Sequence, residues 1–99
     1  MELLSKGVFY IMDVINEMLL KNIFTIKDLS KILDKKSQTI RKWEKKGIIS
    51  KCGNYSDNGW RQYNRQEFAS VLEEVINYPW ERNTIYNIGQ IQYLVNLLK

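Results

Sequence analysis

The sequence has no histidine and one cysteine, Cys52, and these two shortages exclude several functions at once. Without imidazole there is no Ser-His or Cys-His pair for nucleophilic catalysis. A lone thiol cannot gather the thiolate and imidazole ligands of a zinc-type centre. Nor can it close an internal disulfide, which fits a reducing cytosol. There is no G-x-x-x-x-G-K-S/T phosphate loop. No unbroken apolar run reaches the ~18 residues of a membrane span. The opening Met1-Glu2-Leu3-Leu4 lacks the basic region and small-residue cleavage site of a secretion signal. Glu73 and Glu74 are adjacent on a helical stretch, so their carboxylates diverge instead of facing one substrate. A cytoplasmic protein with no catalytic residues, no cofactor, no metal site and no membrane segment is expected.

What is present is a chain of 99 residues with an ordinary hydrophobic share of 44%, enough for one core and one domain over residues 1–99. The charge is unevenly spread. Residues 21–65 hold twelve Lys or Arg against the acids Asp28, Asp34, Glu44 and Asp57, a balance of +8, while the remainder carries −4. A basic centre between acidic ends suits a localised phosphate-binding surface, although a solvated lysine-rich surface has the same composition.

Periodicity gives the elements. Over residues 1–22, Leu4, Val8, Ile11, Met12, Ile15, Met18 and Leu19 recur at helical spacing, weakened near the start by Gly7. Thr25 with Asp28 three residues on resembles a capping box for a short helix whose inner side is Ile26, Leu29, Ile32 and Leu33. After the polar stretch Asp34-Lys35-Lys36, Ser37 can cap another helix, with Ile40 and Trp43 inward and Gly47 as its stop. Residues 24–47 thus read as a helix-turn-helix. Residues 48–63 read as a hairpin: a strand over Ile48–Cys52, a turn at Asp57-Asn58-Gly59, and a strand over Trp60–Tyr63. Cys52 is expected as a half-buried residue of the first strand. Over residues 64–99, Asn64 and Glu67 cap a helix carrying Phe68, Val71, Leu72, Val75 and Ile76, which Pro79 ends. A last helix from about Asn83 or Thr84 turns Ile85, Ile88, Ile91, Leu94, Val95 and Leu98 inward. The expected fold is mainly α with a small β-hairpin wing: a winged helix-turn-helix with an extra N-terminal helix.

With Ile40 and Trp43 inward, Gln38, Arg41, Lys42, Lys45 and Lys46 fall on the open side of the second helix of the pair. An α-helix fits the major groove, where Arg pairs with guanine and Gln with adenine, while lysines serve phosphates. The hairpin adds Lys51 and Arg61, with Tyr55 and Trp60 near its tip. Trp60 and Tyr63 have a second reading, as aromatics packing the hairpin onto the core.

Three stretches carry a family resemblance. Thr39-Ile40-Arg41-Lys42-Trp43-Glu44-Lys45-Lys46-Gly47-Ile48-Ile49 is similar to a recognition-helix pattern T-L-R-Y-Y-E-x-x-G-L-L. Asn58-Gly59-Trp60-Arg61-Gln62-Tyr63 is similar to a wing pattern N-G-Y-R-x-Y, and Phe24-Thr25-Ile26-Lys27-Asp28-Leu29 to an opening Y-T-I-x-E-L. In this order they resemble the DNA-binding domain of the MerR family over about residues 24–76, with excisionase-type proteins as a related winged class. The resemblance implies double-stranded DNA as partner, Arg41 and Arg61 as DNA-contacting arginines, and Ile40 and Trp43 as the residues that seat the recognition helix. Thr39 joins the candidate interface on the same ground. Two departures stand out: Lys42 occupies a usual tyrosine position, and Asp34-Lys35 a usual Gly-Val turn. The chain also lacks room for the long dimerising helix and effector region of the sensory members. A homodimer through the N-terminal or the C-terminal helix is one expectation for that extra surface, and simple completion of the core by the N-terminal helix is the other. Three functions stay open: a small transcriptional regulator, an architectural or recombination protein of the excisionase type, and a protein-interaction module on the same fold.

Overall fold

The structure is a computed structural model that describes the backbone of residues 2–99 and the side chains of residues 11–99. Among the described residues there are five helices and three short strands: α1 (Glu2–Leu19), β1 (Ile23–Phe24), α2 (Ile26–Leu33), α3 (Ser37–Lys45), β2 (Asn54–Tyr55), β3 (Arg61–Asn64), α4 (Arg65–Asn77) and α5 (Ile88–Leu98). The expected inward residues Leu4 and Val8 of the first helix lie outside the described side chains, as does Gly7. Beyond them, Ile11, Val14, Ile15 and Met18 are buried, so the described part of α1 contributes to the core. Met12, expected inward, is exposed, because it sits about 100° round the helix from Ile11 and beyond the edge of the stripe.

Both ends of α2 are tied by local chemistry. The buried Asp28 carboxylate accepts from the backbone N–H of Thr25 at 2.9 Å and closes the capping box. Lys21 Nζ reaches the same carboxylate at 2.8 and 2.9 Å, so the buried charge is paired. At the other end Asp34 adopts a left-handed conformation, φ 53°, in the place where the resembling family commonly has glycine. Asp is among the few residues that tolerate this region. The turn is held by the Lys35 N–H to the Ser30 carbonyl at 3.2 Å and by the Ser30 hydroxyl donating back to the Lys35 carbonyl. Leu33, the last residue of α2, is fully buried.

The start of α3 corrects the sequence reading. Lys36 occupies the cap position without a side-chain bond, and Ser37 is the first helical residue. Its end agrees with expectation: Gly47 takes φ 79°, and the Ile48 N–H returns to the Trp43 carbonyl at 2.9 Å, closing the last turn.

The wing differs from the expected hairpin in two ways. Ile48–Cys52 is not a strand; Ile49 and Cys52 are buried in an irregular connection, and the first wing strand is Asn54–Tyr55. Apolar content at 48–49 reflects burial against the core, not strand pairing. The second difference is an added strand. β1, just before α2, pairs antiparallel with β3 (Ile23↔Asn64, Phe24↔Tyr63), while β2 pairs with its other side (Asn54↔Gln62, Tyr55↔Arg61), giving the order β1-β3-β2. The hairpin loop is Asp57-Asn58-Gly59, with the Gly59 N–H bonded to the Ser56 carbonyl at 2.9 Å and Gly59 at φ 83°. This is the turn-plus-bulge geometry for which glycine is suited.

Phe24 of β1 stacks on Phe68 of α4, ring centroids 4.1 Å apart, which places the sheet against the helical core. α4 begins with a complete capping box: Asn64 Oδ1 accepts from the Glu67 N–H at 2.8 Å, and Glu67 Oε1 accepts from the Asn64 N–H at 2.9 Å. The Arg65 guanidinium donates to the Leu19 and Lys21 carbonyls at 3.3 and 3.0 Å and so covers the end of α1. After Tyr78 and Pro79 the chain runs irregularly to Asn87, and α5 starts at Ile88, several residues later than expected. Ile85 is buried from that irregular segment, whereas Ile88 is exposed at the first turn. α5 packs along α4 and touches α1.

Candidate nucleic-acid interface

α3 is seated by two side chains. Ile40 and Trp43 are buried, and Trp43 meets Trp80 with ring centroids 4.9 Å apart. Trp80 is fixed in turn by its indole N–H, which donates to the Val75 carbonyl at 2.8 Å, and by a tilted contact with Tyr78 at 4.5 Å. The segment that follows α4 therefore braces the back of α3, a role that nothing in the local pattern of residues 78–80 signals.

On the opposite side Gln38, Arg41, Lys42 and Lys45 are exposed and follow one another at i, i+3, i+4, i+7, a continuous stripe along the helix. Lys46 is exposed at the C-cap, and Thr39 is half-buried at the edge of the stripe. Lys42 and Lys45 lie in the last turn, where positive charge also favours the helix dipole. Lys51 and Tyr55 are exposed on the wing, as is Trp60, at 61% of its full exposure. Trp60 thus does not pack the hairpin onto the core, but Tyr63 does. Tyr63 is buried beside Cys52, and burial raises its phenol well above its ordinary value of 10.

The basic residues separate into two groups. Lys21, Lys31 and Lys99 are ion-paired with Asp28, Glu17 and Glu73, and Arg65 is engaged with backbone carbonyls. Among the described residues, Arg41, Lys42, Lys45, Lys46 and Lys51 enter no ion pair, and neither do Lys27, Lys35 and Lys36 on the adjoining helix and turn. Arg41, Lys42 and Lys45 stand side by side on α3; like charges so placed repel each other, and a polyanion relieves that repulsion.

Arg61 stands apart from the other candidates. Its Nη2 and Nε donate to the Glu44 carboxylate at 2.9 and 3.4 Å, and Glu44 also accepts from the Cys52 N–H at 3.0 Å. The guanidinium, helped by the Cys52 N–H and nearby Lys51, holds the Glu44 carboxyl below its ordinary value of 4.5 against the burial that raises it. The sequence suggests Arg61 as a DNA contact and no role for Glu44, since their separation matches no helical or strand period.

Two further anchors were not foreseen. Glu74 of α4 accepts from the Ser50 N–H at 3.1 Å and its hydroxyl at 2.8 Å, fixing the exit from α3. The buried Asn87 amide donates to the Ile32 carbonyl at 3.0 Å and ties the end of α2 to the start of α5. Cys52 is buried outside any strand, its thiol directed at the Asn54 and Gln62 carbonyls at 3.0 and 3.4 Å. Among the described residues no group of three or more His, Cys, Asp or Glu could hold a metal ion, and no helix is long and apolar enough to cross a membrane.

Two short helices joined by a tight turn, the second bearing bases without ion pairs and followed by a hairpin that β1 extends to three strands, make up a winged helix-turn-helix. Residues 24–72 match the family model described as MerR HTH family regulatory protein, and this stretch is a MerR-family helix-turn-helix domain. The match begins at β1 and ends within α4, covering the helix-turn-helix and the wing. The searches of curated proteins and of solved structures found no match.

Proposed function

We propose that the protein is a sequence-specific double-stranded DNA-binding regulator that places α3 in the major groove and its wing beside it. The family match supports a DNA-binding transcriptional regulator in general terms. The observation that carries the finer reading is the stripe Gln38, Arg41, Lys42, Lys45, exposed and without ion pairs, on a helix whose other side is fixed by Ile40 and Trp43. Arg41 and Gln38 are the base-reading residues, since these side chains match the acceptor pair of guanine and the donor–acceptor pair of adenine. Lys42, Lys45, Lys46 and Lys51 serve phosphates and set the register. Trp60 and Tyr55 extend the contact along the backbone from the wing tip. Thr39, at the edge of the stripe, supports the same surface.

Fluorescence anisotropy tests this with a duplex from upstream of the protein's own gene against a scrambled duplex, over a salt series. A regulator of its own promoter binds the native duplex at least about 10³-fold more tightly. Its log affinity falls against log salt by about 0.9 per phosphate neutralised. Arg41→Ala is expected to cost about 1–3 kcal/mol on the native duplex and little on the scrambled one. Equal losses on both would reduce Arg41 to a phosphate contact. A steep salt slope with no preference would replace regulation of this promoter by an architectural role, and negligible binding to both would leave an interaction module.

A further inference from the structure

An acidic side chain in the last turn of a cationic recognition helix calls for a reason. Glu44 follows Arg41 by three residues and precedes Lys45 by one, so a carboxylate stands at the flank of the stripe assigned above to DNA contact. It is nevertheless largely enclosed: its side chain is 13% exposed and that of Arg61 20%. Its oxygens receive Arg61 from two directions and the Cys52 N–H from a third. The carboxylate is therefore fixed in orientation as well as position, since the planar guanidinium fork admits little rotation.

The wing has few other ties to α3. β2 is two residues long, Tyr55 and Trp60 at the outer end are exposed, and the connection from Ser50 to Gly53 has no regular structure. Its other hydrogen-bonded anchors run to α4 and β1: Ser50 on Glu74, Asn54 Nδ2 on Glu67 at 3.2 Å, and β3 on β1, while Cys52 and Tyr63 are buried in the core. We propose that Glu44 is a positioning residue that fixes the wing against the recognition helix, and that Arg61 acts at the interface through this link instead of as a free phosphate ligand. The proposal rests on the DNA-binding reading above and deepens it. Helix and wing engage one duplex together only at a set separation, and a wing free to swing loses entropy each time it binds.

The sign of one substitution separates this from simple electrostatics. Glu44→Ala removes a negative charge beside the basic stripe, which by charge alone tightens binding to every duplex. Positioning by Glu44 instead predicts that the preference for native over scrambled duplex falls about tenfold, the scale of a charge-assisted hydrogen bond. Glu44→Gln, which keeps the volume and one acceptor oxygen, recovers part of that loss and supplies the comparison where the alanine variant fails to fold. Arg61→Ala added to Glu44→Ala costs nothing more, because both remove one link. A preference that is unchanged or raised in Glu44→Ala overturns the proposal, as does a further loss on adding Arg61→Ala.

Amide hydrogen exchange without DNA reads the same link independently. In Glu44→Ala the amides of Cys52 and residues 54–62 are expected to lose protection while those of α4 and α5 keep theirs. Undiminished wing protection also overturns the proposal. If the unaltered protein binds neither duplex, the functional reading fails by itself, and exchange alone decides whether Glu44 holds the wing.

Discussion

α3 and α5 are close in length and opposite in construction. α3 (Ser37–Lys45) buries Ile40 and Trp43, and its remaining surface is mostly charged. α5 (Ile88–Leu98) buries Ile91, Leu94, Val95 and Leu98 and contains no Lys, Arg, Asp or Glu; even its outer positions Tyr93 and Leu97 are uncharged. One helix is held by the core and the other helps to hold it. A helix that must present side chains to a ligand can spare few of them for its own attachment. α3 therefore depends on neighbours: Trp80 behind it, Gly47 at its end and Arg61 on the wing, which its own Glu44 holds.

Truncating the seat of each helix tests that contrast most strongly. Trp43→Ala is expected to cost about 3–5 kcal/mol and Leu94→Ala about 2–5 kcal/mol in urea unfolding. The two should part on DNA. Leu94→Ala, measured where the protein remains folded, should keep its preference between duplexes, whereas Trp43→Ala should lose it. Retained preference in Trp43→Ala would mean that Trp80 and Ile40 are enough to seat α3.

A smaller effect is expected at the end of α3. A side chain at Gly47 meets no atom within 4 Å, so any penalty arises from the backbone at φ 79° alone. Gly47→Val should lower stability by about 1–2 kcal/mol, the cost of a left-handed conformation for an L-residue. An unchanged melting temperature would show that the helix can end in another way.

The smallest effect is a pH dependence confined to the wing. Glu44 has a lower carboxyl value in the folded protein than its ordinary 4.5. The stabilisation it gives is therefore complete above about 4.5 and is lost as the pH falls through the lowered value. Wing protection in amide exchange should decline over that acidic range, and Glu44→Gln should flatten the decline. An equal decline in both proteins would assign the change to other carboxylates.

Much of this architecture was legible in the sequence because it is locally encoded. Asn64 with Glu67, Thr25 with Asp28, and Gly47 past Trp43 each specify a helix end within a few residues, and the exposed stripe on α3 follows from the position of Ile40 and Trp43. The misreadings lie where a distant partner decides. Ile48 and Ile49 resemble a strand but are drawn into the core, leaving pairing to Asn54–Tyr55. Ile23–Phe24 becomes a strand only because β3 lies beside it. The late start of α5 follows from Ile85 being buried from a loop and Asn87 being bonded to Ile32. At the interface, composition and spacing identified the exposed bases, but the Glu44–Arg61 pair depends on a fold-level approach that neither residue's neighbours announce.

The pairing of β1 with β3 has a consequence for how the molecule assembles. Phe24 meets Tyr63 only after the intervening chain has turned back on itself, and that chain contains α2, α3 and the hairpin. Helical turns form from contacts between near neighbours, while a pairing between segments distant in sequence must first overcome the entropy of closing the loop between them. Closing the sheet is thus the expected slow step in folding. The wing is drawn into its final place beside the basic face of α3 in the same event that shuts the fold.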